Sequence, residues 1–141
     1  MERIVNSVTH ALEDAGLHVV RGYSGRQLPV LDSPIVSVSL ADIHYTPLCA
    51  DGLISQDAAT KAIGLYATAN LLLEVYDDYR HGDLACVQTA SSAACICSAM
   101  HDIFTCGHIL LSCVHYEPDY DCFLCSVKIP ISLYVAACNP L

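Results

Sequence analysis

Cys122 and Cys125 enclose Phe123 and Leu124 in a C-x-x-C, and Cys95 and Cys97 form a C-x-C, so metal binding and thiol chemistry are the first possibilities to test. A structural zinc site takes four ligands, ordinarily from two such pairs, and this chain has a single C-x-x-C. On an extended strand Cys122 and Cys125 fall on opposite faces, and on a helix Cys95 and Cys97 point to different sides, so neither pair converges on an ion. Seven histidines and nine cysteines also admit a Cys-His nucleophile pair by composition. His108 and His115, however, flank an expected strand, while His81 precedes an expected helix and His101 lies near its end. No Gly-rich or strained turn presents any cysteine as a nucleophile is usually presented. The glycine motifs that cradle phosphates or dinucleotides are absent as well. No catalytic residue, metal or cofactor is expected, and the chain does not read as an enzyme.

The carboxylates are the other chemistry-bearing group. Glu74, Asp77, Asp78 and Asp83 cluster at one expected strand end, and Glu117, Asp119 and Asp121 at another. No loop there has the ligand spacing and turn glycine of an EF-hand. With six basic residues and a formal net charge of −9, the chain lacks the cations that sequence-independent nucleic-acid binding requires. The acidic clusters read either as solvated turns that keep the protein soluble or as a negative surface, with Asp77, Asp78, Asp119 and Asp121 its candidates, that DNA slides past without sticking. The odd number of cysteines, most of them inside apolar runs, fits free buried thiols better than a disulfide framework. Met1-Glu2-Arg3 runs directly into an amphipathic segment, so no leader and a reducing, cytoplasmic site of synthesis are expected. The apolar run Leu65 to Val75 is too short for a membrane span and contains Thr68, Asn70 and Glu74.

These residues hang on elements set by apolar periodicity. Ile4, Val5, Val8, Ala11, Leu12 and Ala15 recur at helical spacing over Arg3 to Ala15, with Gly16 placed to end the helix. Strands are expected at Leu17 to Tyr23 and Ile35 to Tyr45, then a loop over Thr46 to Lys61, then a long strand over Ala62 to Tyr79. A second helix is expected from Leu84 to about Phe104, with Asp83 as its N-cap and a stripe at Cys86, Ala90, Ala93, Cys97, Met100 and Phe104. A strand over Ile109 to Val114 then turns through Glu117 to Asp121 into the final strand, forming a hairpin with it.

That final strand, Phe123 to Ala137, alternates without a break. Phe123, Cys125, Val127, Ile129, Ile131, Leu133 and Val135 share one face, and Lys128, Pro130, Ser132 and Tyr134 the other. Its length far exceeds the usual strand of about 5–6 residues, so it is expected either to bend at Pro130 or to reach beyond its own core to a neighbouring subunit. Lys128, Pro130, Ser132 and Tyr134 are then the candidate interface. The whole reads as one α+β domain over residues 1–141, a mostly antiparallel sheet of about five strands with two helices packed on one face.

This order of elements, the short polar connection Gly25-Arg26-Gln27-Leu28-Pro29, and Asp121-Cys122-Phe123 followed by Val127-Lys128-Ile129-Pro130-Ile131 resemble the tail terminator, or tail-completion, proteins of long-tailed bacteriophages and prophages. The resemblance covers most of the chain. It implies a structural virion protein, made in the host cytoplasm, that forms a homo-oligomeric ring, usually a hexamer. Its partners would be a tail tube protein on one side and a head–tail connector protein on the other, with DNA passing through unbound and no membrane involved. A head–tail connector or neck protein shares the same setting. A rival of another class is a small cytoplasmic enzyme or ligand-binding α+β domain with a pocket lined by Cys and His.

Overall fold

The computed structural model describes residues 2–21, 33–48 and 64–136. In chain order the elements are α1 (Glu2–Asp14), β1 (His18–Arg21), β2 (Ile35–Leu48), β3 (Gly64–Asp78), a short 3-10 turn (Tyr79–His81), α2 (Asp83–Ser98), β4 (Thr105–Cys106), β5 (Leu110–Leu111), β6 (His115–Glu117) and β7 (Cys122–Ala136). The α+β architecture follows the sequence expectation, but the sheet has seven strands and is mixed. Its order is β1-β2-β3-β7-β4, with β5 and β6 also paired to β7. β1 runs parallel to β2, and the remaining pairings are antiparallel.

Each helix ends where local chemistry stops it. At the end of α1, Gly16 adopts φ 89°. The Leu17 N–H donates to the Leu12 carbonyl at 3.1 Å and the Gly16 N–H to the Glu13 carbonyl at 2.9 Å. Those two bonds are a Schellman cap, which a residue without Cβ accommodates best. α2 begins at Gly82, whose φ 88° and ψ 163° suit only glycine, and Asp83 is the first helical residue rather than the N-cap. Asp83 Oδ1 accepts from the Leu84 N–H at 2.8 Å, and its charge favours the positive helix start.

α2 also stops at Ser98, not near Phe104. Beyond it the Met100, Ile103 and Phe104 N–H groups donate to Cys97, Met100 and Met100 carbonyls in tight turns that bring the chain back to the sheet at β4. Phe104 remains buried at 3% exposure, so the stripe continues in burial after the helix has ended.

Both helices cover one face of the sheet. Ile4, Val8 and Leu12 of α1 and Cys86, Ala90, Ala93, Ala94 and Cys97 of α2 pack with Val36, Val38, Leu71, Leu73, Val75, Cys125, Val127 and Ile129 in one apolar cluster. The small side chains of α2 let its backbone lie close to the strands. On β3 the cluster extends from Ala69 to Val75 and on β7 from Cys125 to Ile131, with Leu133 at its rim. The strands continue beyond it. Past Ala69 on β3 and Ile131 on β7, towards Gly64 and Ala136, only Gly64 and Ala67 are buried among residues whose burial is described.

β3 and β7 stay in one unbroken antiparallel register from Gly64 opposite Ala136 to Asp78 opposite Cys122. Pro130 neither bends nor interrupts the strand. The Gly107 N–H donates to the Pro130 carbonyl at 2.7 Å on the side away from β3. In an antiparallel ladder a residue's N–H and C=O point to the same side, so the donor that proline lacks would face the gap between β4 and β5. No β3–β7 bond is lost.

The expected strand over Ile109 to Val114 is reduced to β5, and a separate strand, β6, follows it; both pair with β7. The hairpin into β7 is formed by β6, through Pro118 to Asp121. β2 runs to Leu48, so Thr46 and Pro47, assigned to a loop from sequence, are strand. The rest of the expected 46–61 loop, residues 49–61, and the 25–29 connection lie outside the described residues.

Leu71 is fully buried at the centre of β3, whereas its neighbour Leu72 lies on the face without helices. Leu71→Ala is expected to cost about 2–5 kcal/mol and Leu72→Ala about 1 kcal/mol or less, compared by the midpoints of urea unfolding followed by circular dichroism.

Candidate functional site

The helix-free face of the sheet changes character along its length. At the end where β3 finishes and β7 starts it is dry, because Ile35 and Cys122 are buried with Val20 and Tyr76 packed around them. Tyr120 sets its ring edge-on to Tyr76 at 6.3 Å. The Tyr76 hydroxyl donates to Glu74 Oε2 at 2.6 Å. Burial first, and then that carboxylate, hold the phenol well above its usual range.

In the middle the same face is polar and holds a cleft of about 570 Å³ whose lining includes Asp42, His44, Asn70, Thr105, Pro130 and Ser132. The cleft follows from a bulge in β2, where the register with β3 shifts between Ala41 and His44. Asp42 takes φ 54° there, a conformation that Asp tolerates better than most residues, and its carboxylate accepts from Asn70 Nδ2 at 2.9 Å. The sequence carried a signal for this bulge: apolar residues occupy even positions at Val36, Val38 and Leu40, then odd positions at Ile43 and Tyr45.

At the far end the face is aromatic. Tyr66 and Tyr134 pair across β3 and β7 with ring centroids 5.0 Å apart, and Tyr134 is 74% exposed. Lys128, Pro130, Ser132 and Tyr134 all lie on this helix-free face at alternate positions of β7. Lys128 is exposed, while Pro130 and Ser132 are half-buried in the cleft wall. The structure therefore brings together the four candidate interface residues. Ile43 and Tyr45 of β2, 40% and 48% exposed, belong to the same end of the sheet, but Tyr45, opposite Ala67, lies on the other face, the one the helices cover further along. Residues 43–48, 64–73 and 129–136 contain no Asp, Glu, Lys or Arg, so among the described residues these strand segments carry no charge in a strongly acidic chain.

The four candidate acidic residues do not form one surface. Asp77 is 1% exposed and held at 2.6 Å by His81 Nδ1, which removes it from any solvent-facing acidic patch. Its position was legible, since it continues the buried parity of Leu71, Leu73 and Val75. Asp78 is clamped by Arg80, with Nε at 2.9 Å, Nη2 at 2.8 Å and the backbone N–H at 2.8 Å. Hydrogen bonding to that guanidinium lowers the Asp78 carboxyl to about 2. Asp119 and Asp121 remain exposed, with Asp121 at φ 51° accepting from the Tyr116 hydroxyl. They sit beside the start of β7. Across the fourteen residue steps of β7, the uncharged end lies roughly 45 Å away at about 3.3 Å per step.

Most of the described thiols are packed inside the fold. Cys122 is buried on the helix-free face and Cys125 on the helix face, as strand alternation requires. Cys95 is exposed while Cys97 is buried. Burial pushes the Cys86 and Cys97 thiols up to about 12 and raises Cys106, Cys122 and Cys125 as well. Cys86 Sγ donates to the Val75 carbonyl at 3.5 Å, as a neutral thiol does. A nucleophilic thiolate needs the opposite shift. Cys106, in the cleft wall, is thus poorly suited to attack a substrate there. Among the described residues no group of three His, Cys, Asp or Glu side chains is placed to hold a metal ion, and no helix is long and apolar enough to cross a membrane.

Comparison with known proteins finds no matching family model and no matching curated protein.

The Asp78 carboxyl carbon should titrate near 2 by NMR in the wild type and return towards 3.8 in Arg80→Ala. Because the folded value lies below the ordinary one, this pairing stabilises the fold above that range, and its contribution fades as pH falls through about 2. In brief alkylation followed by peptide mass spectrometry, Cys95 and Cys113 should label first. Cys86, Cys97, Cys122 and Cys125 should label only on unfolding.

Proposed function

We propose that this chain is a ring-forming structural subunit of the tail terminator, or tail-completion, type, which caps a tail tube and joins it to the head. The observation that carries this reading is the uncharged, aromatic end of β2, β3 and β7, which runs past the apolar core with Ile43, Tyr45 and Tyr134 exposed. Large exposed apolar and aromatic groups gathered at one end of a domain mark an interaction surface. A chain of net charge −9 repels its own copies over most of its surface. Copies approach at least electrostatic cost through strand segments that, among the described residues, carry no charge.

Further support comes from the separation of the two ends. Asp119 and Asp121 lie far from those uncharged segments, so a ring joined through the latter leaves the former free to face a channel. A carboxylate-lined passage repels DNA phosphates and lets the duplex slide without being held. On this reading the partners are further copies of the chain, a tail tube protein and a head–tail connector protein.

Native mass spectrometry of the purified chain should show one closed oligomer with a single subunit number. A monomer at every concentration, carrying a metal or small molecule, would contradict the proposal. Asp119→Asn with Asp121→Asn should leave that oligomer unchanged while reducing DNA delivery by assembled particles, scored as transduction. Asn retains the positive φ that position 121 needs. Unchanged delivery would remove the channel role.

A further inference from the structure

The ladder that carries β7 past the core also determines which of its backbone groups face outwards. The Pro130 carbonyl accepts from Gly107, and the Ser126 carbonyl accepts from the Ser112 N–H at 2.8 Å, both on the side away from β3. Antiparallel pairing alternates residue by residue, and the register has no shift, so even-numbered residues of β7 point outwards throughout. β6, β5 and β4 pair with β7 up to Ser132. Beyond Ser132, among the described residues, the N–H and C=O groups of Tyr134 and Ala136 face outwards with no strand beside them.

The same alternation fixes the opposite edge. Asn70 and the other even residues of β3 point towards β2, which leaves Leu40 and, after the bulge, Tyr45 and Pro47 pointing away from β3. β1 covers β2 only from Ile35 to Val38. The outer edge of β2 at Tyr45 is therefore also unpaired among the described residues. It is bracketed by the Asp42 bulge on one side and on the other by Pro47, which has no N–H. Devices of this kind blunt an edge against open-ended pairing, and here they confine any added strand to a short stretch at Tyr45. The β7 edge beyond Ser132 has no bulge, proline or charge.

We propose that the outward edge of β7 at Tyr134 and Ala136 pairs with the outward edge of β2 at Tyr45 of a second copy, making one sheet continuous across the subunit boundary. This rests on the ring reading and specifies its contact. The two edges lie on opposite sides of the same three-stranded end, so joining one to the other is a heterologous contact, and its repetition closes into a ring when the rotation per subunit allows. Neither edge carries a charge, so two acidic copies meet there without burying a carboxylate. The unpaired backbone groups of each edge supply what the other lacks.

Pro130 supplies the test, because it shows that an even position of β7 accepts proline without loss of β3 pairing. Tyr134→Pro deletes one outward N–H, and Tyr134→Ser removes the ring but keeps the N–H. In sedimentation velocity Tyr134→Pro should weaken association by about tenfold or more with its circular dichroism unchanged, and Tyr134→Ser should weaken it less. Tyr45→Pro, which removes the facing N–H on the other edge, should reproduce the loss, and it decides the matter if Tyr134→Pro fails to fold. A folded Tyr134→Pro or Tyr45→Pro variant that still forms the wild-type ring overturns the edge pairing and leaves the ring reading standing. A wild-type chain that stays monomeric overturns both.

Discussion

The backbone ladder between β3 and β7 is the constraint from which the rest of this structure follows. Fifteen consecutive residues on each strand are paired in one register, so neither strand can bend away or slip without losing several bonds together. A one-residue slip would also turn either Leu71 and Leu73 or Val127 and Ile129 to the helix-free face. The ladder thus fixes which side the helices cover, where β2 must join, and how far the strands extend once the helical layer has ended.

The core is shorter than the ladder that supports it. α1 and α2 supply a compact set of Val, Leu, Ile, Ala and Cys side chains over the middle of the sheet, and beyond that layer the strands continue with Tyr, Leu, Ala and Thr. Backbone pairing keeps this extension ordered where side-chain burial no longer does so. Its two sides differ because short segments cover β7 only up to Ser132, while a bulge and a proline interrupt β2. The acidic groups are meanwhile sorted by local geometry. Asp77 is drawn inside by strand parity and held by His81, Asp78 is bound to Arg80, and Asp119 and Asp121 stay on the β6–β7 turn.

Much of this was legible from alternation alone, because a period of two decides facing without any knowledge of the partner strand. It placed Cys122 and Cys125 on opposite sides and put Lys128, Pro130, Ser132 and Tyr134 together, and it would also have buried Asp77 had parity outweighed charge. Local chemistry likewise announced the end of α1 at Gly16. Features set by distant partners were not legible. The parallel pairing of β1 depends on where β2 lies, and the short extents of β5 and β6 are set by their pairing with β7. The end of α2 was hidden because Met100 and Phe104 continue the burial stripe through turns that are no longer helix. The cleft at Asp42 required reading a parity switch as a bulge rather than as the end of a strand.

On the ring reading we propose, the end of the ladder beyond the core meets another copy. Amide hydrogen exchange measured across a range of protein concentrations tests it most directly. Exchange at Tyr134 and Ala136 should slow as concentration rises, while Asp119 and Asp121 at the opposite end remain unchanged. Rapid exchange at Tyr134 and Ala136 at every concentration, or protection that develops at the acidic end instead, would contradict it.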